Sequence, residues 1–243
     1  MSGSALAWIV VAFSIAAFAQ ALSGFGFSLL CIPLLTLIST RSDAVVSSTM
    51  VGLVTQLWMA WRMRNEVDRS VVRWALPFSF VGMPVGIAVG HIVSDRSMRV
   101  AVGGAVLVAV VAIKRGLTVR GRPSRVDSLA GFVSGVLSTT TGTNGPPLVI
   151  ALAGRSLQPG VTRATLSALF CGANIVSLAL FAIDGSISDR APVIAAVGLI
   201  PALAVRAGTE PMFRKLDPAR YRNVVLGLLS IAGTVAIVNA FAK

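Results

Sequence analysis

The chain has 243 residues, of which 55% are hydrophobic and 12% charged, and its formal charge is +12. A soluble domain carries roughly 25% charged residues, so an ordinary soluble globule, a disordered chain and a coiled coil are excluded. The basic residues fall between apolar runs rather than on one clustered face, which excludes a nucleic-acid-binding protein.

Apolar runs lie at 5–22, 29–39, 44–61, 71–90, 98–113, 128–138, 146–154, 161–183, 191–205 and 223–241. None alternates as a strand would. A segment crossing lipid must satisfy its own backbone polar groups, so these runs predict helices. About 20 apolar residues are needed for one crossing. The fold class predicted is an all-α polytopic membrane protein that leaves no room for a separate soluble domain.

The first run contains Ala17-Phe18-Ala19, which resembles a signal-peptide cleavage site. No Lys or Arg precedes it, so it reads as a retained membrane segment. The run is then interrupted at Ser23-Gly24-Phe25-Gly26-Phe27-Ser28. A stronger interruption follows at Ser138-Thr139-Thr140-Thr141-Gly142-Thr143-Asn144-Gly145-Pro146-Pro147. Most limbs flanking these breaks are too short to span, which predicts two hairpins that return to the side they came from.

The charges fit that reading. Arg62, Arg64, Arg69 and Arg73 follow one run. Lys114, Arg115, Arg120, Arg122 and Arg125 follow another. Arg155 and Arg163 flank a third loop, and Arg206, Arg214, Lys215, Arg220 and Arg222 a fourth. With two hairpins all of these fall on one side, cytoplasmic by the basic-loop bias. Arg41, Arg96, Arg99, Arg190 and Lys243 fall on the other. Both termini are then outside, and the membrane is the inner one.

The halves also match each other. Ser23 to Leu30 aligns with Thr141 to Leu148. At the same offset Ser47-Ser48-Thr49 meets Thr165-Leu166-Ser167, and Gln56 meets Asn174. Pro77 and Pro201 fall at similar places, and Met98-Arg99 resembles Tyr221-Arg222. Each half reads as a hairpin plus three spans, entered from opposite sides. This predicts inverted repeats over 1–113 and 128–243, joined by a basic linker at 114–127. Broken helices in matching positions of inverted repeats point to a transport site.

A helix that ends at membrane depth is tolerated only inside protein or beside water. The second limb of each hairpin starts with free N–H groups and a dipole that favour an anion. Gly24 and Gly26 let the backbone approach a ligand. Ser28 either caps the second limb or touches the ligand. In the second hairpin Asn144 or Gly145 is the expected N-cap, with Pro146 at the first helical position. The prolines remove donors, so an anion there relies on Thr141, Thr143, Asn144 and Gly145. The candidate substrate site is Ser23, Gly24, Phe25, Gly26, Ser28, Thr49, Gln56, Thr141, Gly142, Thr143, Asn144, Gly145 and Asn174. The alternative is that glycines and prolines only kink packed helices, and that Gln20, Gln56 and Asn174 bond across helices. Phe25 and Phe27 either gate or pack, and Trp58, Trp61 and Trp74 read as interface anchors.

No carboxylate falls mid-run, which disfavours a proton relay or cation cage. Cys31 and Cys171 lie in apolar stretches and His91 stands alone, so neither a disulfide framework nor a metal site is expected. No motif supplies machinery for an enzyme, and no cofactor is predicted.

At the two breaks the chain resembles the TauE/SafE family of sulfite exporters. The resemblance rests on Ser23-Gly24-Phe25-Gly26 with Pro33-Leu34-Leu35, on Gly142-Thr143-Asn144-Gly145-Pro146-Pro147, and on Arg163-Ala164-Thr165. Phe27, Ser28 and Asn144 stand where that family favours glycine. The resemblance implies a permease, in the exporting direction, for small sulfur-containing anions such as sulfite or sulfonates. Its partners are then a small anionic substrate and the lipid bilayer. A non-transporting membrane subunit or sensor, and an anion channel, are the competing classes.

Overall fold

The computed structural model describes residues 3–92, 100, 103–104, 106–108, 110–111, 114–115, 122–155, 157–213 and 217–241. Its elements are α1 (Gly3–Ser23), α2 (Phe27–Leu35), α3 (Arg41–Arg62), α4 (Arg69–Ile92), α5 (Pro123–Thr140), α6 (Gly145–Ala153), α7 (Pro159–Ile183), α8 (Arg190–Phe213) and α9 (Pro218–Phe241). No strand occurs among the described residues. The expected run at 98–113 is only partly described. Met98, Arg99 and linker residues 116–121 lie outside the described residues.

Five of these helices are long and apolar enough to cross a membrane: Gly3–Ser23, Arg41–Arg62, Arg69–Val89, Pro159–Ile183 and Arg190–Thr209. The chain is thus a multi-pass membrane protein by length and composition. Helix α1, with 21 residues, is a full-length limb. The returning limbs α2 and α6 have 9 residues each. At about 1.5 Å per residue each rises about 14 Å, half the hydrocarbon thickness.

The two breaks form where the sequence places them. Gly24 and Gly26 have φ of 84° and 92°, and Gly142 has φ of 70°. Side chains rarely adopt this left-handed region, so glycine permits the turns. Ser23 then locks the first turn. Its hydroxyl donates to the Phe25 carbonyl at 2.7 Å and takes the Phe25 N–H at 3.3 Å. At the far end of this hairpin Trp8 Nε1 donates to the Leu34 carbonyl at 2.8 Å, closing α1 against α2.

Helix α4 lies directly against α5. A β-carbon on Gly135 would stand 2.0 Å from the Ser79 carbonyl oxygen, one on Gly131 2.1 Å from that of Ala75, and one on Gly82 2.2 Å from that of Phe132. The helices therefore meet backbone to backbone. Gly82 with Gly86, and Gly131 with Gly135, are small residues four apart, the spacing that allows close approach in membranes. Thr139 adds a bond from its hydroxyl to the Met83 carbonyl at 2.8 Å. Helix α1 packs on α8 through a side chain instead, with Gly198 beneath the ring of Phe13. Helices α3 and α7 pack on each other, α3 also on α8, and α7 also on α4.

Two apolar cores result. One gathers Phe27, Cys31 and Leu35 of α2 with Ile9 and Phe13 of α1 and Ile194 of α8. The other gathers Leu148, Val149 and Leu152 of α6 with Val71 of α4 and Leu229 of α9. Phe25, from the first break, belongs to the second core. Each core thus holds the returning limb of one hairpin.

Four expectations are corrected. The run expected to end at 205 continues as helix through Arg206 to Phe213. Arg206 and Arg163 are 1% and 0% exposed, so neither is a loop charge. Helix α5 starts at Pro123, inside the stretch read as linker, and Pro146 takes the second helical position after Gly145. Arg62, Arg64 and Arg73 place their guanidinium groups 5.5, 5.4 and 5.9 Å over Trp58, Trp61 and Trp74.

Candidate functional site

The breaks converge on one cavity. Gly26, Phe27, Ser28 and Leu29 line it from the start of α2, and Thr143, Asn144 and Gly145 from the start of α6. Gly52 and Gln56 of α3, Phe170 and Asn174 of α7, and Gln20 of α1 complete the wall. Its volume is about 20 Å³, room for one or two water-sized groups.

Helical spacing explains the wall. Gly52 and Gln56 are four residues apart on α3, as are Phe170 and Asn174 on α7, so each pair shares one face. Gly52 faces Asn174 across the two helices. Its missing side chain leaves room for Asn174, whose Nδ2 would lie 3.1 Å from a β-carbon there. Phe25 stands against Gly145 and joins the two tips.

Polar groups around the cavity divide into engaged and available ones. Gln56 is 1% exposed, and among the described residues neither its Oε1 nor its Nε2 has a hydrogen-bond partner. A buried amide in that state needs a ligand or water. Gln20 is engaged, since Arg206 Nη1 donates to its Oε1 at 2.8 Å. Asn144 is held through its backbone, whose carbonyl accepts from the Ser134 hydroxyl at 2.7 Å. Asn144 precedes α6 but makes no side-chain cap bond, so its amide is not spent on the helix. Ser28 is inside the first turn of α2, after the capping position held by Gly26, and lines the cavity rather than capping.

Of the sequence-derived candidates, Gly26, Ser28, Gln56, Thr143, Asn144, Gly145 and Asn174 come together on the cavity. Ser23, Gly24, Phe25, Thr49, Thr141 and Gly142 are not among its lining residues. Thr49 donates to the Val45 carbonyl at 2.7 Å within its own helix. Thr141 shares a bond of 2.7 Å with Thr143 and donates to the Leu137 carbonyl at 3.0 Å. Thr139 and Thr140 are likewise satisfied by carbonyls. Much of the polar cluster at the second break therefore serves the backbone. Phe27, weighed as a gating or packing ring, lines the cavity, whereas Leu29, Gly52 and Phe170 carry no polar signal and were not expected there.

The first limbs of both hairpins end on groups from the opposite half. The Ser23 carbonyl accepts from the Tyr221 hydroxyl at 2.8 Å, and the Arg163 side chain packs against Gly24. The Thr140 carbonyl accepts from Arg41, which stands in the first turn of α3. Farther out, Arg155 pairs with Asp127 and lies 4.0 Å from Asp68.

A family described as Sulfite exporter TauE/SafE has a model that matches residues 9–236, nearly the whole chain. The chain belongs to the TauE/SafE family. This is a family of membrane transporters for sulfur-containing anions, so membership implies a small anionic cargo and a bilayer setting. No curated protein and no solved structure matches the chain. For a TauE/SafE protein the cavity between the two breaks is the natural candidate for cargo, because substrate sites in transporters with broken helices form at such tips.

Proposed function

We propose that this TauE/SafE protein is a permease, not an enzyme, that exports a small sulfur-containing anion across the inner membrane. The anion sits in the cavity between the two breaks. The observation that carries this is the cavity wall itself. Its residues pair as Gly26 with Asn144, Phe27 with Gly145, Gly52 with Phe170, and Gln56 with Asn174, at one constant separation along the chain. A wall built twice from corresponding positions is expected of inverted repeats and is otherwise a coincidence of four pairs. The packing supports the same reading. Helix α1 lies on α8 as α5 lies on α4, and α3 lies on α8 as α7 lies on α4. We assign the repeats to 1–113 and 128–243, with both termini outside.

The chemistry favours an anion of compact shape. Two helix N-termini, those of α2 and α6, border the cavity and bring N–H groups and positive dipole ends. The amides of Gln56, Asn144 and Asn174 add donors, and among the described residues no acid lines the wall. A cavity with room for only one or two water-sized groups must widen to admit even sulfite, and so favours a short cargo over a long one.

The test is flux through purified protein in liposomes, with sulfite, sulfate, a short alkyl sulfonate and chloride in turn. Saturable sulfite flux is expected, reduced at least tenfold in Asn144→Leu. Unsaturated conductance would favour a channel. No flux of any anion would favour a non-transporting subunit. A cysteine at Arg125 should label only from the cytoplasm, and labelling from outside would overturn the topology.

A further inference from the structure

Arg206 lies within α8 and not in the loop that its sequence context suggests. It is 1% exposed, and its Nη1 donates to Gln20 Oε1 at 2.8 Å. Gln20 is 3% exposed and lines the cavity. An arginine offers donors and no acceptor. The part of the Gln20 amide that meets it must therefore be the carbonyl oxygen, which removes the usual ambiguity between the two ends of an amide. Thr55 Oγ1, which donates to the Gly52 carbonyl at 3.1 Å, lies 3.5 Å from the same oxygen. What remains of the amide for the cavity is its NH₂ group, which can only donate.

We infer that Arg206 is a positioning residue that fixes the polarity of Gln20, so that the cavity presents a donor there and selects an oxyanion. The inference rests on the cavity being the cargo site. A glutamine free to rotate accepts as readily as it donates, and so serves a cation or neutral ligand as well as an anion. Held by Arg206 it no longer does. The arginine also has to be paid for structurally, since a buried guanidinium requires polar partners, and an apolar residue would pack the same helix contact more simply.

The decisive variant is Gln20→Glu. The carboxylate still accepts from Arg206, so the packing and the bond persist. Its second oxygen, however, replaces the donor with an anionic acceptor. Sulfite flux into liposomes is measured with purified full-length protein, alongside thermal unfolding. The half-saturating sulfite concentration should rise at least tenfold, while the unfolding temperature stays within a few degrees of wild type. Gln20→Met, which removes the donor without adding charge, should raise it less. Arg206→Gln frees Gln20 to rotate and should raise the half-saturating concentration with little change in maximal rate. Arg206→Lys, which retains a donor, should restore much of it. Wild-type saturation in Gln20→Glu, with Asn144→Leu impaired, would overturn this inference alone. Wild-type saturation in both would overturn the cavity as the cargo site.

Discussion

The ring of Phe25 stands against Gly145, with Phe25 Cδ2 only 3.3 Å from where a β-carbon on Gly145 would lie. One hairpin tip thereby rests on the other, and the cavity exists because they touch. A methyl in Gly145→Ala requires the ring to move by a few tenths of an ångström, which a side chain can do. Gly145→Val asks for more room than the ring can yield, with Phe170 Cζ 3.8 Å away on another side. Overpacking of this kind costs about 1–3 kcal/mol. We expect Gly145→Ala to transport sulfite near the wild-type rate and Gly145→Val to lose most of its flux, measured side by side in liposomes. Equal rates would show that contact between the tips is not needed.

Gln56 gives a prediction in which stability and function move in opposite directions. Its amide is buried with no protein partner for either atom among the described residues. Leaving such a group unsatisfied costs about 1–3 kcal/mol. Gln56→Leu removes that cost and keeps most of the volume. The unfolding temperature in detergent should stay level or rise, while the half-saturating sulfite concentration rises at least tenfold. A variant that unfolds earlier would mean that the amide bonds within the protein.

Helices α4 and α5 meet through glycines, and that contact can be broken at one position. A β-carbon at Gly135 would lie 2.0 Å from the Ser79 carbonyl oxygen, whereas one at Gly227 meets nothing within 4 Å. Gly135→Val must push the helix backbones apart, because a carbonyl cannot swing aside as a side chain can. A large fall in unfolding temperature is expected for Gly135→Val, and none for Gly227→Ala. Similar behaviour of the two would contradict the backbone contact.

These contrasts mark what could be read from the chain. The breaks were legible because glycine, threonine and proline interrupt apolar runs, and the matched positions Gln56 and Asn174 do meet one cavity. The α4–α5 contact also had a signal, in the small residues of Gly82-Met83-Pro84-Val85-Gly86 and Gly131-Phe132-Val133-Ser134-Gly135. Arg163 and Arg206 were misread because a charge at the end of an apolar run looks the same whether it faces water or a buried amide. Only the three-dimensional neighbour, Gly24 for one and Gln20 for the other, distinguishes them. Gly52 and Phe170 could not be singled out, since an apolar wall of a polar cavity leaves no mark in composition.

Asp68 lies outside the spans and gives a pH dependence. The Ser70 hydroxyl, which donates to Asp68 Oδ1 at 2.6 Å, is the main cause holding its carboxyl below the usual range. Backbone N–H groups of Ser70 and Val71 and the Arg155 guanidinium add to this, against partial burial. A depressed folded-state pKa contributes stability above the unfolded value, about 3.9. That stability is lost as pH falls through the lower folded value. Unfolding temperature should therefore drop below about pH 4, and the drop should be shallower in Asp68→Asn. An identical acid profile in the variant would remove Asp68 from the account.

Charge sets the expected direction and energy source. A cell interior is negative, and moving one charge across the membrane is worth about 2.3 kcal/mol per 100 mV. An anion leaving alone gains that amount, and a dianion gains roughly twice it. Export then needs no coupled ion. Among the described residues the cavity wall carries no acid that could bind a proton or sodium. The exposed Arg62, Arg64, Arg69, Arg73, Arg122 and Arg125 would raise the anion concentration at a cytoplasmic entrance. The expectation is electrogenic export down the potential. In liposomes loaded with sulfite, a potassium diffusion potential, negative inside, should speed efflux, and reversing its sign should slow it. Efflux that ignores voltage but requires a proton or sodium gradient would replace the uniport by coupled transport.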